Sequence, residues 1–215
     1  MNYDLYVITD TTLSGGRSHE EIARLAIEGG ADVIQLRDKT CSTRRLVREG
    51  KRVREVTLRT GTPFIINDRL DVAIACGADG VHLGYDDLPA ASARAIVPRH
   101  FIIGVSVGSA DEAIQAVKEG ADYLAASPIF PTAQKAEAVI HCGLEGIRHI
   151  RAAVSVPLVA VGGIGMGNIC DVIGAGADGV AVISAVVGQP DIRSAARALK
   201  ERIQNCKAAR SDSNR

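Results

Sequence analysis

Gln35, Arg37 and Lys39 stand at alternate positions, so an extended segment places an amide and two cations on one face. Desolvating unpaired charge is costly, and the pattern therefore points to a bound anion, a phosphate or diphosphate. Pairing with neighbouring carboxylates or a place on an exposed rim is the plainer alternative. Asp68 follows Phe64-Ile65-Ile66-Asn67, and Asp87 follows Gly80-Val81-His82-Leu83-Gly84. Two carboxylates beside a diphosphate suit Mg2+, which takes hard oxygen ligands and keeps some of its waters. Asp86 or Asp87 could instead cap the helix containing Ala90 to Ile96, and Asp68 could pair with Arg69 or Arg37. Gly162-Gly163-Ile164-Gly165 and Ser184 have the composition of a phosphate-cradling turn, although such glycines also serve as ordinary turn residues. Thr132 and Lys135 fall in a segment from Pro128 to about Gly143, longer than the usual connection of about 4–6 residues. That segment is expected to be a mobile lid, with an idle insertion as the alternative.

Other chemistries find little support. His19, His82, His100, His141 and His149 share no ligand spacing, and His82, inside an apolar run, is expected to be a hydrogen-bonded core residue. Cys41, Cys76, Cys142, Cys170 and Cys206 include no CxxC pair and are odd in number. Neither a disulfide framework nor a zinc site is expected, and free thiols suit a reducing cytoplasm. No cysteine has a partner suited to nucleophilic catalysis.

The elements that must carry these residues are legible as repeated apolar runs. They cover 5–10, 33–38, 63–68, 80–84, 101–107, 123–129, 157–163 and 179–185. Most are continuous rather than alternating, as expected of parallel strands covered on both sides. Helix-like stretches lie between them, among them 18–28, 42–59, 110–119, 144–153 and 191–204. The phrase Gly-Ala-Asp recurs at 30–32, 77–79, 120–122 and 176–178, each time between a helix-like stretch and an apolar run. Its spacing corresponds to two βα units, with the glycine ending the helix in a left-handed conformation. Alternating strands and helices over residues 1–206 predict a single (β/α)8 barrel, and a doubly wound open sheet is the rival fold. Residues 207–215 read as a polar, frayed tail. In such a barrel the active site lies at the C-terminal ends of the strands. There the sequence collects Thr9-Asp10, Arg37 to Lys39, Asn67-Asp68, Asp86-Asp87, Ser106, Ser109, Ser127, Gly162-Gly163 and Ser184.

Composition narrows the class of partner. The chain has 215 residues, 47% of them apolar, enough for a substantial core. Lys and Arg total 25, and Asp and Glu also total 25, which argues against coating nucleic acid through bulk charge. Aromatics are 3% with no Trp, too few for a base-stacking platform. The most apolar stretch, 172–187, is too short and too broken by Asp178 and glycines to span a bilayer. No signal peptide is visible at Met1-Asn2-Tyr3-Asp4. Small-molecule substrates and a cytoplasmic location are therefore expected, while oligomeric state is not legible.

Taken in order, Gln35-Leu36-Arg37-Asp38-Lys39, Phe64-Ile65-Ile66-Asn67-Asp68, Gly80-Val81-His82-Leu83-Gly84, Gly104-Val105-Ser106, Pro128-Ile129-Phe130-Pro131-Thr132, Lys135, Gly162-Gly163-Ile164 and Val182-Ile183-Ser184-Ala185 resemble the motifs of the thiamine-phosphate synthase family. The resemblance covers nearly the whole chain. It implies a (β/α)8 barrel that uses Mg2+ to join a hydroxymethylpyrimidine diphosphate to a thiazole phosphate, releasing diphosphate. By that resemblance, Gln35, Leu36, Arg37, Asp38, Lys39 and Asn67 would hold the pyrimidine diphosphate, with Ser106 and Lys135 on its diphosphate. Asp68 and Asp87 would bind the metal. Thr132, Ala133, Gln134, Gly163, Ile183 and Ser184 would hold the thiazole phosphate, and Arg37, Lys39 and Lys135 would act in catalysis. The chain departs from the family pattern at Tyr85, at Gly108-Ser109 and at Gln134. Alternatives are a related thiazole tautomerase, a sugar-phosphate isomerase using Asp10 and Asp68, and a non-catalytic protein that binds thiamine precursors.

Overall fold

The computed structural model describes residues 1–131 and 142–213. In it, eight parallel strands close into a barrel in sequence order. They are β1 (Leu5–Ile8), β2 (Val33–Leu36), β3 (Phe64–Asn67), β4 (Gly80–Leu83), β5 (Ile102–Val107), β6 (Tyr123–Ala126), β7 (Leu158–Val161) and β8 (Gly179–Val182). The helices that follow them are α1 (His19–Glu28), α2 (Thr43–Thr60), α3 (Leu70–Cys76), α4 (Ala90–Ile96), α5 (Ala110–Lys118), α6 (Gly143–Ala153), α7 (Ile169–Gly174) and α8 (Ile192–Ser213). The chain is thus a (β/α)8 barrel.

Strand periodicity sorts the side chains into two cores. Leu5, Val7, Ile34, Leu36, Phe64 and Ile66 point outward and pack beneath the helices. Tyr6, Val33, Ile65, Tyr123, Val159 and Ala181 point inward and fill the barrel. Most of the strands stop a residue or more short of the apolar runs, because the polar residues at their C-terminal ends leave the ladder. Ser18, Ser42 and Ser109 cap α1, α2 and α5, accepting from the amides of Glu21, Arg45 and Glu112. Ser109, read from sequence as a mouth residue, is therefore a helix cap.

The Gly-Ala-Asp repeat carries more than a helix stop. Its glycines have φ of 100°, 68°, 96° and 116° at Gly30, Gly77, Gly120 and Gly176, values that suit a residue without Cβ. The aspartate that follows precedes an even-numbered strand and grips the odd-numbered strand before it. Asp32, Asp79, Asp122 and Asp178 accept the backbone amides of Leu5, Phe64, Ile103 and Leu158 at 2.7–2.9 Å. Their own amides donate to the carbonyls of those same four residues. Each carboxylate also meets a cation: Lys200, Arg54, Arg94 and Arg151 respectively. The four pairs ring the N-terminal end of the barrel.

Two expectations are corrected here. The segment from Lys207 does not fray before Ser213: it continues α8, held by a Lys207–Asp4 ion pair and by Arg210 donating to the carbonyls of Ile173 and Ala177. Cys170 and Cys206 form a disulfide with Cα atoms 5.3 Å apart. Local spacing gave no sign of it, since the two cysteines meet only when the consecutive helices α7 and α8 pack side by side around the barrel. Among the described residues, no helix is long and apolar enough to cross a membrane.

Candidate active site

The C-terminal ends of the strands surround a cavity of about 320 Å³. Gln35, Arg37 and Lys39 all line it, as their alternate spacing requires. Asn67, Asp68, Asp87, Ser106, Gly163, Ile183 and Ser184 line it as well. Two neighbours in the sequence motif do not. Leu36 is buried in the outer core beneath the helices. Asp38 turns back into its own loop, where one carboxylate oxygen accepts from the amides of Thr40 and Cys41 and from the Thr40 hydroxyl. Those bonds outweigh the effect of burial and hold the Asp38 carboxyl down at about 2. Thr132, Ala133, Gln134 and Lys135, with the lid expected to contain them, lie outside the described residues.

The two carboxylates expected to hold a metal meet. Asp68 has a φ of 64°, rare for a non-glycine residue. The strain is local: the Arg69 amide donates to the Asn67 carbonyl at 2.7 Å, closing a tight turn around Asp68, while the Asp68 amide donates to the His82 carbonyl at 2.8 Å. Strain of this kind gathers at functional sites. Burial, and then the neighbouring Asp87, raises the Asp68 carboxyl above its ordinary value, against the pull of Lys39. Lys39 Nζ lies 3.3 Å from Asp68 Oδ2. Asp87 does not cap α4, whose N-cap is Pro89 with no side-chain hydrogen bond. Asp87 Oδ2 instead accepts the Gly84 amide at 2.6 Å, which fixes the carboxylate at the mouth. Among the described residues no set of three or more His, Cys, Asp and Glu side chains is placed to hold a metal. The donor set is two carboxylates, which fits a hard cation that completes its shell with water and phosphate oxygens.

Beneath the cavity runs a polar chain that sequence reasoning missed. Gln35 Nε2 donates to Tyr6 Oη at 2.8 Å, and Tyr6 Oη lies 2.9 Å from Tyr123 Oη. Tyr123 Oη is 2.9 Å from His82 Nδ1, and His82 Nε2 is 3.0 Å from Ser106 Oγ. Burial pushes the Tyr6 and Tyr123 phenols above their ordinary values, so both remain neutral hydroxyls. His82 is the hydrogen-bonded buried residue expected, and it also lines the cavity. A Cβ at Gly104 would meet the Tyr123 ring at 2.1 Å. Only glycine on β5 lets that ring lie across the barrel. The available signal was a lone tyrosine at an inward position of two apolar strands, but their pairing across 117 residues is a product of closure.

At the far side, Gly163 has a φ of 64°. Asn168 braces its turn, accepting from the Gly165 amide and donating to the Gly163 carbonyl, both at 2.9 Å. Tyr85, at the departure after β4, is 92% exposed at the rim. One wall of the mouth thus carries cations and carboxylates, and the opposite wall a glycine turn and a serine.

A family described as thiamine monophosphate synthase matches residues 5–186. Thiamine-phosphate synthase of Methanoregula boonei is 63% identical over 96% of each chain. That of Methanoculleus marisnigri is 60% identical over 97% of this chain and 99% of its own. Among solved structures, thiamine phosphate pyrophosphorylase from Pyrococcus furiosus superimposes with a TM-score of 0.87 at 45% identity, covering 95% of this chain and 96% of that one.

Proposed function

Because the chain belongs to the thiamine monophosphate synthase family, and is accordingly an enzyme that makes thiamine phosphate, we propose how its barrel mouth divides the labour. The pyrimidine diphosphate binds along β2 and β3, with Gln35 and Asn67 on the pyrimidine side and Arg37, Lys39, Ser106 and Lys135 on the diphosphate. The thiazole phosphate binds across the mouth, at Gly163, Ile183, Ser184 and the segment Thr132, Ala133 and Gln134. Leu36 and Asp38 contribute through the backbone and shape of their turn, since their side chains point elsewhere. Asp68 and Asp87 would hold Mg2+. When bound, the ion supplies positive charge to the departing diphosphate.

The carbon–oxygen bond between the pyrimidine methylene and the diphosphate breaks, and its electron pair leaves with the diphosphate. The aminopyrimidine ring delocalises the positive charge left on the methylene. The thiazole nitrogen then donates its lone pair to that carbon, forming the carbon–nitrogen bond of thiamine phosphate. Arg37 and Lys39 stabilise charge as it develops on the leaving group, an effect that is strongest in a preorganised site. Holding the thiazole by its phosphate aligns the nucleophile. No protein nucleophile is needed, and a surface with both phosphate walls in one cavity is enough.

The observation that carries this assignment is the convergence of Arg37, Lys39, Asn67, Asp68, Asp87 and Ser106 on one cavity. It is tested by measuring diphosphate release. Release is expected when both substrates and Mg2+ are present. Isomerisation of the thiazole phosphate alone, or binding without release, would replace it with a tautomerase or a sensor. We further place the enzyme in the cytoplasm, acting on small molecules and not on nucleic acid: three of its five cysteines, Cys41, Cys76 and Cys142, are free thiols beside the Cys170–Cys206 disulfide, and the formal net charge is zero.

A further inference from the structure

One buried titratable side chain has no part in this chemistry. His19 opens α1 and is 3% exposed, and Thr9, beyond the end of β1, is 0% exposed. His19 Nδ1 lies 2.7 Å from Thr9 Oγ1. The same Thr9 oxygen accepts the backbone amide of Arg37 at 3.3 Å. Among the described residues the Thr9 hydroxyl proton has no other acceptor, so it is donated to His19 Nδ1. The imidazole proton then sits on Nε2, which faces Asp38 Oδ2 at 3.8 Å, an electrostatic contact rather than a hydrogen bond. The other Asp38 oxygen already folds the turn through Thr40 and Cys41.

We propose that His19 is a positioning residue for the diphosphate clamp, acting through Thr9 and Asp38 to hold the turn that carries Arg37 and Lys39. The imidazole touches that turn at both ends. Through Thr9 it reaches the peptide amide of Arg37, and through Nε2 it reaches the carboxylate on the next residue. Burial favours the neutral ring, the form that can accept from Thr9 while presenting N–H to Asp38. The charged groups around it, Asp38, Glu49 and Asp10, pull the other way.

The role rests on the assignment of Arg37 and Lys39 to the diphosphate, so the experiment reads both separately. Steady-state kinetics are measured with the two substrates and Mg2+, and binding of inorganic pyrophosphate with Mg2+ is measured by calorimetry. For His19→Ala and the isosteric Thr9→Val, loss of one buried hydrogen bond predicts a rise of about tenfold in the KM for the pyrimidine diphosphate. Pyrophosphate binding should weaken in proportion, while the KM for the thiazole phosphate stays within about twofold. Thr9→Ser, which keeps the hydroxyl, should restore the wild-type values even if His19→Ala folds poorly. Equal changes in both KM values, no change in either, or a Thr9→Ser variant no better than Thr9→Val would each overturn the role of His19. A wild-type protein that binds pyrophosphate but makes no thiamine phosphate would sink the assigned reaction and leave His19 to be judged by pyrophosphate affinity. A wild-type protein that binds no pyrophosphate would sink both.

Discussion

At the N-terminal end of the barrel, Asp32, Asp79, Asp122 and Asp178 each hold a backbone amide and a cation. At the C-terminal end, Asp68 and Asp87 face one another, and Lys39, itself 60% exposed along its side chain, reaches Asp68. The same residue type is spent on closure at one end and kept for ligand at the other. The physical difference is compensation. A carboxylate that accepts a buried amide and a guanidinium has little left to give a ligand. Two carboxylates held together, one on a strained backbone, are stabilised by an incoming cation.

The contrast is broken most directly at the mouth. Arg37→Ala or Asp68→Asn should reduce turnover by about 10²–10³-fold, with melting temperature nearly unchanged. A parallel collapse of melting would assign these residues to folding instead. Between the two ends, Tyr123→Phe removes the hydroxyl that links Tyr6 to His82. It should cost about 1–3 kcal/mol of stability by leaving buried polar groups unpaired and also lower turnover, because Gln35 and Ser106 sit at the two ends of that chain. Thermal and kinetic measurements on one preparation check both. At the N-terminal end, Asp79→Ala leaves the Phe64 amide and Arg54 without their acceptor. A loss of about 1–3 kcal/mol is expected, with turnover within about twofold of wild type on the same scale.

The smallest effect should come from acid. Burial alone would raise the Asp4 carboxyl, but hydrogen bonds from Lys207, Lys200 and Asn2 outweigh it and hold the group at about 2. A depressed carboxyl stabilises the fold fully above its unfolded value, ordinarily near about 3.9. That contribution fades as pH falls toward the folded value. Melting curves between those two limits should show the loss, and Lys200→Met together with Lys207→Met should flatten it.

Much of this was legible along the chain, and the reason is periodicity. Alternation along β2 puts Gln35 on the inner wall and, carried past the strand end at Leu36, points to Arg37 and Lys39 beside it, and the end of each apolar run marks where Asp68 and Asp87 emerge. The Gly-Ala-Asp phrase announced the two-unit repeat, but the partner of each aspartate lies in another strand and a distant helix. Tyr6 and Tyr123 stayed hidden for the same reason, as did His19, whose partners Thr9 and Asp38 lie on other elements. The Cys170–Cys206 bridge was invisible because no local rule relates residues on two neighbouring helices. Leu36 and Asp38 show the opposite error, since contiguity in a motif is not convergence in space.

Through a backbone amide the aspartate grips couple β1 to β2, β3 to β4, β5 to β6 and β7 to β8, while their cations, on α8, α2, α4 and α6, reach across the intervening seams. In assembly terms the barrel is four staves, each a βαβα quarter with its own amide grip and a cation borrowed from the quarter before it. Relocating the chain ends to a seam, for instance between Thr60 and Pro63, should preserve all four fastenings, whereas a cut between β3 and β4 severs one. Such rearranged chains, compared by refolding yield, would reveal whether this enzyme comes together quarter by quarter.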